Sequence, residues 1–160
     1  MRNVLLTGVG GQGTVLAAKV LAQAAQAKGW QVRTAETIGM AQRGGSVVSH
    51  VRMGDNGEEV IAPLVAKGTA DMIIAFEPAE AARVLPYLAP DGVMVSATTS
   101  IQPITAALST EPYLAEATIA SLRGRLNGSA EAPARFVLVD DEAVLSQVEN
   151  RKALNTVLLA

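Results

Sequence analysis

The residues best placed to do chemistry stand near the N-terminus. Gly8-Val9-Gly10-Gly11-Gln12-Gly13-Thr14 carries a G-x-G-x-x-G spacing at Gly8, Gly10 and Gly13. It follows a short apolar run, Val4–Thr7, and precedes a helical pattern from Gly13 to Lys28. In that setting glycines turn the chain tightly, let backbone N–H groups approach a ligand, and put it at a helix N-terminus. The helix end adds roughly half a positive charge, so an anion is the natural occupant. Three uses are open: a nicotinamide dinucleotide, some other phosphate-bearing molecule, or close strand–helix packing with no ligand. Glu36 stands about 20 residues beyond the glycines, where a ribose-binding acid would sit. It binds a ribose hydroxyl or merely caps its loop; the sequence leaves both open.

A second stretch has matching chemistry. Gln42-Arg43-Gly44-Gly45-Ser46 is a basic, amide-rich turn feeding a β-branched strand. Successive glycine amides form an anion-binding concavity, and a neighbouring guanidinium adds a charge-assisted fork. Both turns are expected at the C-terminal ends of neighbouring strands, where open α/β sheets bind ligands. Two such turns suit one ligand with more than one phosphate.

Other polar residues read as structural. His50, the single histidine, lies within a predicted strand in a structural or interface role, with no serine or cysteine nucleophile in an elbow beside it. Arg52 on the same strand reads as a half-exposed strand charge. Asp140-Asp141-Glu142 reads as an N-cap with helix-dipole acids, not as a metal cluster. Trp30 and Met40 are either core residues or anchors for a subunit interface. The residues themselves give no catalytic side chain and no metal set.

The elements that must position these residues follow from periodicity. Val4–Thr7 is a buried strand and Trp30–Glu36 a second, joined by the helix 13–28 with Gly29 as its C-cap. This predicts a βαβ unit with parallel pairing and a right-handed crossover. Ser46–Met53 is strand-like, and Asn56-Gly57 is a strong hairpin signal. Glu58–Ala62 is therefore expected to return antiparallel, ending at Pro63. Asp71–Phe76 is a strand, and Glu77-Pro78 opens a helix to about Leu88. Pro90-Asp91-Gly92 is a turn and Val93–Ala97 a strand. Glu111–Leu126 is helical, Asn127–Pro133 reads as the most mobile stretch, and Phe136–Val139 is the last strand. Asp140 caps a short helix, and a final helix runs from Asn150 to an abrupt end at Ala160, which leaves open whether the chain is shortened. The class is α/β: a single domain, 1–160, of three layers around a mostly parallel, mixed sheet. It has a Rossmann-like start and an antiparallel hairpin at about 46–62.

Composition narrows the partners. Hydrophobic residues make up 49% of the 160 and charged residues 18%, which suffices for a core and argues against disorder. A net charge of −2 and 3% aromatics argue against nucleic acid. The absence of cysteine excludes a disulfide or a cysteine-held iron–sulfur cluster on this chain. No signal peptide and no apolar run of membrane-spanning length is visible, so a cytoplasmic location is expected.

The two glycine stretches, GVGGQGTVLAAK and ETIGMAQRGGSVVSHVR, resemble the gamma-type subunits of the pyruvate/2-oxoacid:ferredoxin oxidoreductases. Within them the match is to the beta subunit of the indolepyruvate branch. The likeness continues through Ala62-Pro63-Leu64, Ala70-Asp71, Phe76-Glu77-Pro78, Leu85-Pro86-Tyr87-Leu88 and Asn155-x-Val-Leu-Leu159, covering essentially the whole chain. The resemblance implies that a 2-oxoacid, an arylpyruvate, is decarboxylated on thiamine diphosphate. Electrons pass through [4Fe-4S] clusters to ferredoxin, and the acyl group goes to coenzyme A. It places thiamine diphosphate, Mg²⁺ and the clusters on a catalytic alpha subunit, in accord with the missing cysteines. It leaves this chain, inactive alone, to pack on that partner and help hold coenzyme A. Carried over by motif, Gly10, Gly11, Gln12, Gly13 and Thr14 make backbone or hydroxyl contacts. Arg43 pairs with phosphate, with Gly44, Gly45 and Ser49 beside it. The rival readings are a nicotinamide-binding oxidoreductase domain and a docking subunit without ligand.

Overall fold

The computed structural model describes residues 1–39, 44–101, 113–127, 135–148 and 153–160. Strands β1 (Arg2–Val9), β2 (Gln31–Ile38), β3 (Ser46–Gly54), β4 (Ala70–Ala75), β5 (Leu88–Ala97) and β6 (Phe136–Val139) form one sheet in the order β2-β3-β1-β4-β5-β6. β4 and β5 run parallel to β1, and β6 parallel to β5, whereas β3 is antiparallel to both β1 and β2. The sheet is mixed, as the sequence suggested.

Helices cover both faces. On one side α1 (Thr14–Ala27) packs on β1, β2 and β3. Its buried residues Ala17, Ala18, Ala22 and Ala25 are small, so the helix lies close to the sheet. The final helix α5 (Leu154–Leu159) joins it through Leu158, completing a core with Leu6, Val51, Ile74 and Phe76. Trp30 packs against this cluster and so belongs to the core. On the other side α2 (Pro78–Val84) and α3 (Ala115–Leu126) bury Ala81, Val84 and Leu122 against Leu5, Ile73 and Met94. A fourth helix, α4, spans Asp141–Val148. No helix among the described residues is long and apolar enough to cross a membrane.

Two expectations are corrected. β1 and β2 point the same way but do not pair, because β3 lies between them. Asn56 and Gly57 do take the positive φ values of a tight turn, 52° and 84°. The segment after them nevertheless forms no strand. β3 already bonds β1 on one edge and β2 on the other, so Glu58–Ala62 has no free edge to join. Side chains hold it instead. Gln31 Oε1 accepts from Val60 N (3.3 Å), Arg33 Nε donates to Val60 O (3.2 Å), and Arg52 Nη1 donates to Ala62 O (2.8 Å). Arg52 thus serves as a bracket, also donating to Asn3 Oδ1 at 3.0 Å. The Pro90-Asp91-Gly92 turn signal shows as an irregularity within β5: Ala70 faces Leu88 and Met72 faces Val93. The stretch 127–133, expected to be mobile, lies almost wholly outside the described residues, as does Met40.

The end of α1 tests how local chemistry sets an element boundary. Gly29 has φ 81°, its N–H donates to Gln26 O (2.9 Å), and Trp30 N–H donates to Ala25 O (3.2 Å). That pair of bonds is a Schellman motif. No atom lies within 4 Å of the position a Gly29 Cβ would take. Gly29→Ala therefore meets no clash and loses only the left-handed preference, about 1–2 kcal/mol of stability. Urea unfolding of the two proteins measures this; equal midpoints contradict it.

Candidate functional site

The glycine loop and the second turn meet. Val9 at the end of β1 faces Ser46 at the start of β3. That register puts the turn between β2 and β3 at the rim where the glycine loop leaves β1. Gly10 N–H donates to Gly45 O at 2.9 Å. A Cβ on Gly10 would stand 3.6 Å from that oxygen, at ordinary van der Waals contact. Gly39 N–H closes the base of the second turn on Ser46 O at 2.8 Å.

Helix α1 starts at this junction without a cap. Its N-cap residue, Gly13, has φ 84° and supplies no side-chain acceptor. The Asn155 amide of α5 lies 3.0 Å from where a Gly13 Cβ would be, so both the dihedral and the packing demand glycine. Among the described residues, no partner accepts from the N–H groups of Thr14, Val15 and Leu16. Such first-turn donors want an acceptor. They border a groove of about 420 Å³ whose walls include Gly10, Gly11, Gly13, Val15 and Val47, with Lys19 at its edge. Among the described residues nothing lies within 4 Å of a Cβ position on Gly11. The groove therefore combines free amides, a helix end and an ammonium group, all favouring an anion with several oxygens.

Other candidate residues have different duties. Gln12 is turned inward: its Oε1 accepts from Val9 N (2.7 Å) and its Nε2 donates to Phe76 O (2.9 Å). It staples the ends of β1 and β4 across the point where the chain's winding reverses. The Thr14 hydroxyl is buried, has no partner among the described residues, and points toward Gly8. Only the Thr14 backbone faces the groove. Ser49 lies in mid-strand opposite Leu6 and Glu36, with its hydroxyl likewise buried and unpartnered, away from the rim. Arg43 and Gln42 lie outside the described residues. Lys19 escaped the sequence reading; its spacing of one turn from Val15 was the available signal. Glu36 sits on exposed β2, two strands from β1. Two strand spacings amount to roughly 10 Å, too far from the glycines for the ribose arrangement of a dinucleotide fold.

Beneath the rim lies a buried polar network that the sequence did not announce. Glu77, 1% exposed, caps α2 by accepting from Glu80 N (3.0 Å) and takes the Tyr113 hydroxyl at 2.9 Å. Burial raises its carboxyl above the ordinary range, against the pull of those hydrogen bonds. Burial, then the Glu77 contact, pushes the Tyr113 phenol up. Glu80 accepts from Ser46 Oγ (2.6 Å), Thr7 Oγ1 (3.2 Å) and Arg83 Nε (3.0 Å). Asp140 caps α4 through Ala143 N at 3.0 Å, as the sequence suggested. Burial alone would raise the Asp141 carboxyl, but bonds from Thr98 and Thr99 outweigh it and hold it low. A cavity of about 700 Å³ lies on the far side of Gln12. Its charged walls, Asp141 and Glu142, do not suit an anion.

The family model described as pyruvate ferredoxin/flavodoxin oxidoreductase matches residues 3–160. The chain belongs to that family. It is 47% identical over 111 residues to indolepyruvate oxidoreductase subunit IorB of Archaeoglobus fulgidus, covering 69% of this chain and 53% of the relative. It is 37% identical over 159 residues to subunit IorB of Pyrococcus horikoshii, covering 98% and 74%. The chain thus spans about half the length of the first of these relatives. Its fold matches the 2-oxoglutarate:ferredoxin oxidoreductase of Magnetococcus marinus with a TM-score of 0.64 at 16% identity, over 98% of this chain and 23% of that one. That structure holds 2-oxoglutarate, coenzyme A and succinyl-CoA.

His50 is structural. It is buried, its Nδ1 accepts from Val65 N at 3.2 Å, and Tyr87 meets its ring edge-on at 6.2 Å. Burial lowers its pKa, so the folded state favours the neutral ring. The linked stability is complete above the unfolded value near 6.5 and is lost as pH falls through the lower folded value. His50→Leu leaves Val65 N without an acceptor and costs about 1–3 kcal/mol at pH 8. Its deficit relative to the wild type narrows toward pH 5.5, because only the wild type carries the titrating ring. Urea unfolding across this range checks the sign; a gap that widens on acidification contradicts it.

Proposed function

We propose that this chain is the non-thiamine subunit of a 2-oxoacid:ferredoxin oxidoreductase, of the indolepyruvate or other arylpyruvate type, and that its rim helps hold coenzyme A. The observation that carries the reading is the junction itself: an uncapped helix N-terminus borders a groove, and the glycine loop that walls it is bonded to the Gly44–Gly45 turn. The names of the relatives support the reaction class, and the coenzyme A in the Magnetococcus marinus enzyme supports the ligand. The catalytic alpha subunit carries thiamine diphosphate, Mg²⁺ and [4Fe-4S] clusters, and the complex passes electrons to ferredoxin. This chain contributes no catalytic side chain.

The chemistry of the donor set fits the diphosphate and ribose phosphate of the carrier. The first-turn amides of Thr14, Val15 and Leu16 and the amide of Gly11 offer N–H groups to phosphate oxygens. Lys19 supplies a positive charge from the groove, and Arg43 is the phosphate partner that the motif supplies. Coenzyme A supplies the thiol that accepts the acyl group on the partner. The residues here orient and retain the carrier, and their own protons stay in place.

The test uses the complex with its catalytic partner and calorimetric titration of coenzyme A. Arg43→Ala weakens binding about ten- to a hundredfold, as expected for a hydrogen bond between charged groups. Lys19→Met, at an exposed edge, weakens it about three- to tenfold and less so in high salt. Thr14→Val leaves binding unchanged, since the hydroxyl is buried away from the groove. Wild-type affinity in both charge variants refutes the reading, and so does saturable binding of a nicotinamide dinucleotide with none of coenzyme A.

A further inference from the structure

We propose that Glu80 is a positioning residue that sets the height of the Gly44–Gly45 turn, and through it the affinity of the rim for coenzyme A. The inference rests on the reading of the rim given above. Glu80 lies on α2, one layer below the site, and touches no part of the groove. It is 8% exposed, and donors meet both of its carboxyl oxygens. Ser46 Oγ donates to its Oε1 at 2.6 Å, and Thr7 Oγ1 lies 3.2 Å from Oε2. Arg83 binds the same Oε2 through Nε at 3.0 Å and through Nη2, forming an ion pair.

Ser46 is the first residue after the turn. Its carbonyl takes Gly39 N–H, and the adjacent Gly45 carbonyl takes Gly10 N–H. Glu80 therefore holds the residue that closes the base of the second turn, next to Gly45, the residue bonded to the glycine loop. A charged acceptor at 2.6 Å is a strong constraint on that position. A carboxylate under an anion site would repel its ligand if left bare. Arg83, half-exposed, neutralises it, so the network fixes geometry without adding net negative charge.

Four variants in the assembled complex test this: Glu80→Ala, Glu80→Gln, Ser46→Ala and the double variant Glu80→Ala with Ser46→Ala. Two readouts are used, hydrogen exchange of amides 44–46 without ligand, and steady-state kinetics in coenzyme A. Glu80→Ala speeds exchange at these amides and raises KM for coenzyme A about five- to thirtyfold, as befits a lost bond to a charged group, with kcat within about twofold. Glu80→Gln restores most of both, because an amide oxygen still accepts from Ser46. Ser46→Ala reproduces the effect, and the double variant with Glu80→Ala is no worse than either single one. Unchanged exchange in Glu80→Ala and Ser46→Ala overturns the positioning role whether or not coenzyme A binds. Faster exchange with unchanged KM overturns its coupling to the ligand. A wild-type complex that fails to bind coenzyme A removes the functional reading alone, and the exchange result still decides whether Glu80 tethers the turn. If Glu80→Ala does not assemble, Ser46→Ala decides the same question.

Discussion

One register decides the layout of the rim: β3 lies antiparallel against β1 with Ser46 opposite Val9. A strand entering from the opposite direction brings its preceding turn to the end where β1 releases its glycine loop. Had β2 been the neighbour of β1, as in a dinucleotide fold, that rim position would hold the end of β2 with its acid. Here it holds glycine amides instead. The bond from Gly10 N to Gly45 O ties the loop and the turn to one another, and the groove forms between the glycine loop, α1 and Val47 of β3. The insertion of β3 thus gives a nucleotide-type start a different rim.

The rim is held from below by polar groups that the core surrounds. Gln12 pins the loop to β4, Glu77 caps α2, and Glu80 anchors Ser46. Each is buried or partly so, and each would be costly to bury without its bonds. Apolar packing of alanines brings α1 close, but it does not fix the loops above it. Directional bonds do that. The division of labour explains why carboxylates occur beneath a site that favours anions: they bond to the backbone, hydroxyls and Arg83, not to the groove.

Some of this was legible in the chain because it is local. Gly29 after an amphipathic run announced the end of α1, Glu77-Pro78 announced the start of α2, and Asp140 announced a cap. The positive-φ turn at Asn56-Gly57 was also local and is present. The return strand after it was not, because pairing depends on which edges of β3 are free. Glu80 was equally hidden. A glutamate three residues before an arginine on a helix looks like a surface pair, and nothing in the sequence tells that Thr7 and Ser46 approach it. Thr14 and Ser49 have the chemistry of ligand donors, yet their hydroxyls face inward. Side-chain direction depends on the face of the element, and a motif does not encode it.

The sequence by itself determined the alternation of strands and helices, the caps, the two glycine turns and the family. These depend on dihedral preference, periodicity and residue type over short spans. The tertiary structure alone decided that β3 separates β1 from β2, that the two turns share a hydrogen bond, and which polar groups face the groove. Those outcomes follow from competition for strand edges and burial between residues as far apart as Ser46 and Glu80. No local window of the chain contains that competition.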